Sequence, residues 1–117
     1  MICICNGRWY GGGFHPVPEA TLDDGLLDVL IVRDVSLLTV AKVIGNYKKG
    51  RYANYPQYIR HLRCSSIRIR CEQAEEINLD GELVYGTDVT FSIPKEKIRF
   101  FYPKGLTWSA KEPAPAT

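Results

Sequence analysis

The chain carries two continuous apolar runs, separated by a long polar stretch. Residues 2–5 and residues 26–32 are dominated by isoleucine, leucine, valine and cysteine. Runs of this kind are typical of strands that are buried on both faces, whereas half-exposed strands alternate apolar and polar residues. We therefore predict a strand in each run, the second of them central in its sheet.

After the second run, the apolar residues recur with the spacing of a helix. Ser36 is a suitable N-cap and Gly50 a suitable C-terminal stop, with Lys48 and Lys49 placed favourably for the helix dipole. The apolar positions between them repeat with helical spacing: Leu37, Val40, Ala41, Ile44 and Tyr47. This pattern predicts one amphipathic helix.

Beyond Ser66 the pattern changes to period two. Ile67 and Ile69 alternate with Arg68 and Arg70, and alternation returns over residues 89–93 and 98–102. The segments predict antiparallel strands, and the fold class is mainly β: an antiparallel β-sandwich with one amphipathic helix. We expect one domain over residues 1–103 and a Pro- and Ala-rich tail over residues 104–117, in which Trp108 alone would dock.

Composition narrows the classes of function. The 117 residues carry a net charge of +2 and a pI near 8.4, which is too mild for a nucleic-acid binder driven by phosphate neutralisation. No apolar run approaches the roughly 20 residues of a membrane span, and the first residues lack the basic start of a signal peptide. We expect a cytoplasmic protein. Its four cysteines, which lack a metal-binding spacing, are expected to be reduced and packed.

A loop over residues 18–26, the acidic loop, combines Glu19, Asp23 and Asp24 with Gly25. Gly25 accepts a positive φ, so the backbone can fold back and direct carboxylate and carbonyl oxygens inward. Such oxygens suit Mg²⁺ or Ca²⁺. An ordinary turn before a strand has the same composition, so both interpretations stand at this point.

Two further segments hold candidate chemistry. Gly11-Gly12-Gly13 lacks side chains that would keep a ligand away from its backbone amides, and it lacks the Walker spacing, so it predicts a loop beside a site. Asp80-Gly81 predicts a two-residue hairpin turn. Glu82 follows that turn directly, where a sheet edge would hold its carboxylate rigidly, although a solvated surface glutamate fits the pattern as well.

The ordered set of motifs resembles the C-terminal domain of bacterial diacylglycerol kinase-like lipid kinases, relatives of sphingosine kinases and NAD kinases. The resemblance covers residues 2–102. It rests on Asn6-Gly7, Gly11-Gly12-Gly13, Pro18-x-Ala20-x-Leu22-Asp23-Asp24-Gly25-Leu26-Leu27-Asp28-Val29 and Asn78-Leu79-Asp80-Gly81-Glu82. It implies a partial copy of the family's second domain, with a lipid hydroxyl as acceptor and ATP as phosphoryl donor.

The resemblance also implies roles for residues. Asp24, with the carbonyls of Thr21 and Leu26, would hold Mg²⁺, and Glu82 would be the general base. Asp80, Gly81 and the glycines Gly11, Gly12 and Gly13 would line the substrate cleft.

One departure from the family is large. The Gly-Gly-Asp-Gly-Thr type motif of the family's nucleotide-binding domain is missing from this chain. We therefore expect the isolated chain to be inactive, to need a nucleotide-binding domain as partner, and to act at a membrane surface. Open strand edges predict a homodimer.

Two other functions remain as alternatives. The first is a non-catalytic binding or regulatory β-domain derived from the same fold. The second, ranked lower, is nucleic-acid binding through the arginines between residues 60 and 70, which would show steep salt dependence.

Overall fold

The structure is a computed structural model that describes residues 1–105. Within them lie the strands β1 (Ile2–Cys5), β2 (Leu27–Val32), β3 (Ile59–Cys64), β4 (Ser66–Leu79) and β5 (Glu82–Ser92), the helix α1 (Leu37–Lys48) and a 3₁₀ turn (Tyr52–Asn54). β1, β2 and β3 form one antiparallel sheet in that order, and β4 pairs with β5 in a separate antiparallel hairpin. The mainly β fold with one helix, of the β-sandwich type, is confirmed.

The core lies against one face of the three-stranded sheet. Leu30 of β2 and Val17, which directly precedes the acidic loop, are fully buried. Val43 and Tyr47 of α1 pack with them. The helix begins at Ser36, whose Oγ accepts a hydrogen bond from Thr39 N–H at 3.4 Å. The helix buries Val43 and Tyr47, whereas the predicted apolar stripe is mostly exposed, with Leu37 at 86%, Val40 at 40% and Ile44 at 43%.

Gly50 fixes how the helix meets the acidic loop. Its φ is 72°, and a Cβ at this position would overlap the ring of Pro18 and the carbonyl of His15. The backbone of His15 donates a hydrogen bond to the carbonyl of Lys48 at 3.0 Å. Only glycine accepts both the conformation and the close approach, so this residue lets the acidic loop pack on the end of α1.

The β4–β5 hairpin is built differently, because none of its residues is among the buried ones of the described chain. Its register is regular from Ser66↔Ser92 to Arg70↔Asp88, and then β4 advances to Glu75 while β5 reaches only Gly86. Such an irregularity bends a hairpin. Beyond it the strands pair again to Leu79↔Glu82, around the two-residue turn at Asp80 and Gly81.

Three expectations need correction or fall outside the structure. Residues 98–102 form no strand, and Phe101 is fully exposed; the predicted strand is wrong because no described strand pairs with this segment, and alternation alone does not supply a partner. The hydrophobic pattern predicts no strand over residues 59–64, yet β3 forms there and completes the three-stranded sheet. The predicted docking of Trp108 lies outside the described residues.

Candidate functional site

The acidic loop leads into a charged cluster at one end of the sheet. Gly25 has a φ of 73°, and the loop turns back so that Asp24 Oδ1 accepts the N–H of Leu26 at 3.0 Å. Burial raises the pKa of Asp24, but hydrogen bonds from Thr21 and from the Leu26 N–H, together with Arg63, outweigh it and hold that pKa below its usual value. The carboxylate of Asp24 is therefore ionised at neutral pH.

Asp28 is the buried centre of this cluster. It is 0% exposed, in the central strand, and its register partners are Cys5 on β1 and Arg63 on β3. Its Oδ1 accepts hydrogen bonds from Arg63 Nε at 3.1 Å and from His61 Nε2 at 2.7 Å. Its Oδ2 is buried without a partner in the described residues. Burying a carboxylate is destabilising unless it is paired. The hydrogen bonds from Arg63 and His61 therefore stabilise Asp28 in its buried position.

Arg63 joins the two aspartates. Its Nη2 donates to Asp24 Oδ2 while its Nε donates to Asp28 Oδ1, so one guanidinium fork holds both carboxylates. The side chain of Arg63 is 40% exposed. One cation thus fixes the start of β2 to the acidic loop, with part of its surface open to solvent.

A line of hydrogen bonds extends from Asp28 to the acidic loop on the other side. His61 Nδ1 lies 2.9 Å from the hydroxyl of Tyr52, which donates to Glu19 Oε1. The imidazole of His61 and the hydroxyl of Tyr52 thus connect the buried Asp28 to Glu19 of the acidic loop.

The glycine loop, Gly11 to Gly13, is closed by two backbone hydrogen bonds of 3.0 Å between Tyr10 and Phe14. All three glycines have positive φ, from 53° to 105°. The rings of Tyr10 and Phe14 stack and Phe14 packs against Tyr47 of α1. The loop is therefore a short turn docked on the helix.

The hairpin tip, residues 79–82, follows the sequence prediction. Asp80 has a φ of 50° and Gly81 of 107°, which is the pattern of a type I′ turn. Gly81 N–H donates to Asn78 Oδ1 at 2.7 Å. Glu82 is the first residue of β5 and is exposed.

The pKa of Cys5, the register partner of Asp28 on β1, responds to several groups. The hydrogen bond with Cys3 and burial raise the pKa of Cys5, and the charges of Asp28 and Asp80 add to that rise. No hydrogen bond or ion pair joins Glu82 to Asp24 within residues 1–105.

An apolar pocket of about 360 Å³ lies elsewhere, between α1 and the opposite end of the sheet. Met1, Val32, Val43 and Tyr58 line it, and it includes none of the predicted site residues. Within the described part of the chain, no helix is long and apolar enough to cross a bilayer.

Sequence reasoning missed Asp28, His61 and Arg63 as members of the site. Asp28 offered a signal, because it is the one acid inside an otherwise apolar central strand. His61 and Arg63 offered none, since their importance depends on the unpredicted strand β3 pairing with β2.

Comparison with known proteins identifies a family and several relatives that this chain resembles. Residues 1–101 match the family described as "YegS C-terminal NAD kinase beta sandwich-like domain". The chain is 32% identical over 102 residues to a protein of Stenotrophomonas maltophilia, covering 87% of this chain and 33% of that protein. It is 36% identical over 91 residues to one of Pseudomonas savastanoi pv. phaseolicola, covering 75% and 28%.

Both relatives carry the name "Probable lipid kinase YegS-like". The chain spans about a third of the length of the curated relatives it matches. Because the family match covers nearly all of the described residues, the chain belongs to the YegS C-terminal NAD kinase β-sandwich-like domain family.

Proposed function

We propose that this chain supplies the lipid site and the catalytic base of an ATP-dependent lipid kinase of the diacylglycerol type. A nucleotide-binding domain would hold ATP, and the chain would be inactive without it. The relatives' names support the kinase class. The observation that carries the proposal is the match of residues 1–101 to the family, together with the type I′ turn at Asp80 and Gly81 that fixes Glu82 at the start of β5.

Glu82 takes the part of the general base. Its carboxylate would accept the proton of the lipid hydroxyl as that oxygen attacks the γ-phosphorus of ATP, and the phosphoryl group would pass to the lipid while ADP leaves. The rigid turn fixes the direction of Glu82. Positioning of the reacting groups is a major part of how proteins catalyse phosphoryl transfer. Asp80, Gly81 and the glycine loop would border the acceptor.

Apolar side chains beside Glu82 support a lipid as acceptor. Leu79, the cross-strand partner of Glu82, and Val84, two residues along β5, share its face of the hairpin and are 44% and 40% exposed. Exposed apolar residues grouped beside an acid suit a substrate whose acyl chains stay at a membrane while its hydroxyl is presented to the base. The protein would thus act in the cytoplasm, at the membrane surface.

The acidic loop fits a magnesium ion. Asp24 is ionised, and its Leu26 and Arg63 hydrogen bonds leave acceptor capacity on the carboxylate. No group of three acidic, histidine or cysteine side chains capable of holding a metal occurs among residues 1–105. Mg²⁺ accommodates such a site, because it takes one carboxylate, backbone carbonyls and water. Asp24 and the carbonyls of Thr21 and Leu26 would hold the ion, whose charge would fix the loop.

Thermal unfolding with and without Mg²⁺ tests this site apart from activity. We expect Mg²⁺ to raise the Tm of the wild-type chain and of Asp23→Asn, and to leave Asp24→Asn unchanged, because binding to the folded state alone adds stability. Equal responses of the two variants would remove Asp24 from the site.

The kinase proposal is tested by fusing this chain to the nucleotide-binding part of the Stenotrophomonas maltophilia relative. The assay follows ATP-dependent phosphorylation of diacylglycerol in mixed micelles. We expect Glu82→Gln to lower kcat by about 10²- to 10⁴-fold, the usual contribution of a general base. Glu72→Gln, on the exposed neighbouring strand, is the matched control and should keep full activity.

The alternative, a non-catalytic binding or regulatory domain, predicts the opposite result. In that case Glu82→Gln would leave phosphorylation unchanged in a fusion that is active. Circular dichroism of both variants shows whether the fold is intact.

A further inference from the structure

The thiols of Cys3 and Cys5 converge on one face of β1. Their sulfurs lie 3.4 Å apart. Alternate residues of a strand share a face but stand about 6.7 Å apart along it, so both side chains lean toward each other. The sequence predicts reduced, packed thiols, and the structure brings these two into contact as a pair. Cys3 is half-buried and Cys5 is 7% exposed, so the pair is open to solvent on the side of Cys3.

Two tyrosine hydroxyls adjoin this pair. Tyr10 and Tyr47 hydroxyl oxygens are 3.2 Å apart. A hydrogen bond with Cys5 lowers the pKa of Cys3 to about 6 against the opposing effect of burial, and hydrogen bonds from Tyr47 and Tyr10 add to the lowering. Burial raises the pKa of both tyrosines, so they stay protonated and act as donors. The two hydroxyls therefore border the thiol pair as hydrogen-bond donors.

The geometry suits chelation better than a disulfide. The Cα separation typical of alternate strand residues lies at the upper end of the range that a disulfide spans, so closing the bond would distort β1. A bridging metal relieves this, because tetrahedral bonds of about 2.3 Å hold two thiolates roughly 3.8 Å apart. Small side-chain rotations cover the difference from the observed distance.

We propose that Cys3 and Cys5 form a bidentate dithiolate site for a soft, thiophilic metal ion. Binding of a divalent ion would release the thiol protons into solvent and leave two sulfur–metal bonds. No third cysteine, histidine or carboxylate joins the pair within the described residues, so water or an external thiol completes the coordination. Soft thiolate ligands select ions such as Cd²⁺ and Zn²⁺ over Mg²⁺. The site is therefore chemically distinct from the oxygen donors of the acidic loop.

Cadmium titration of the complete chain tests the site. The readout is the ultraviolet sulfur-to-cadmium charge-transfer band, with proton release in weak buffer as a second signal. Cys64→Ser/Cys71→Ser, which keeps the proposed pair, should saturate at one cadmium per chain. Cys3→Ser should lose the saturable band, and excess Mg²⁺ should not compete.

Cys3→Ser is the deciding variant, because Cys3 is half-buried and its replacement should leave the fold intact, as circular dichroism would show. Cys5→Ser removes a buried thiol and serves as a second test if it folds. The proposal fails if Cys3→Ser still binds cadmium like the wild type, if the band depends on Cys64 or Cys71 instead, or if the wild-type chain shows no saturable band.

Discussion

The three-stranded sheet and the β4–β5 hairpin differ in how much of their surface they bury. The sheet buries Leu30 and Val29 completely and even holds a charged residue, Asp28, out of contact with water. The hairpin is longer, yet it contributes no buried residue to the described chain. An isolated hairpin is marginal in water. The difference indicates that the sheet side of the candidate site is held by a core of this chain, whereas the hairpin side buries no residue within residues 1–105.

Matched leucine truncations test this contrast most strongly. Leu30→Ala should lower the free energy of unfolding by about 2–5 kcal/mol, because it removes a fully buried side chain. Leu83→Ala should change it by less than about 0.5 kcal/mol, since the side chain is half-exposed. Urea unfolding of both variants measures the difference. A similar loss for both would mean that the hairpin is packed as tightly as the sheet.

Matched arginine substitutions come next. Arg63→Met leaves the buried Asp28 with His61 alone, and we expect a loss of about 2–3 kcal/mol from the uncompensated charge. Arg68→Met removes an exposed pair with Asp88 on the hairpin, where we expect no measurable loss. Chemical unfolding at low ionic strength makes the comparison, and an equal loss in both variants would contradict it.

Self-association is a third way to sharpen the comparison. The exposed hairpin and its open edges should make the isolated chain dimeric, and Tyr85→Lys should shift it toward the monomer by placing a charge on the apolar surface. Light scattering over a range of concentrations measures the mass. A clean monomer of the wild-type chain would contradict the expected dimer.

The smallest effect is expected in the dependence of stability on pH and salt. The pKa of Asp24 is held below its usual value in the folded chain, so its contribution is present above about pH 4 and is lost as the pH falls through the folded value. Hydrogen bonds with Arg68 lower the pKa of Asp88 in the same direction. We expect Asp24→Asn to flatten the acid limb of the stability curve at both low and high salt, and Asp88→Asn to do so only at low salt. Identical salt responses would show that the two carboxylates are equally solvated.

The sequence was sufficient for elements whose signals are local. Ser36 and Gly50 bound α1, and Asp80-Gly81 form the predicted turn, because capping and turn chemistry depend on a few neighbouring residues. The sandwich class followed from the alternation of apolar residues. The resemblance to lipid kinases was also sufficient to identify the family.

Long-range pairing was the part that the sequence could not supply. His61 and Arg63 enter the site only because β3 pairs with β2 in a register that aligns Arg63 with Asp28. The same limit explains residues 98–102, which alternate as a strand would but find no partner in the described chain. Likewise, the convergence of Cys3 and Cys5 depends on side-chain rotamers rather than on spacing.

The proposed function requires the hairpin tip and the acidic loop to lie at the same end of the molecule. A nitroxide label at position 82 of a cysteine-free variant tests it directly, through paramagnetic broadening of backbone amide signals. The amide of Gly25 belongs to the acidic loop, whereas Val35 lies beyond the other end of β2, roughly 20 Å of extended chain away. We expect Gly25 to be broadened much more than Val35. Stronger broadening at Val35, or none at Gly25, would contradict the account.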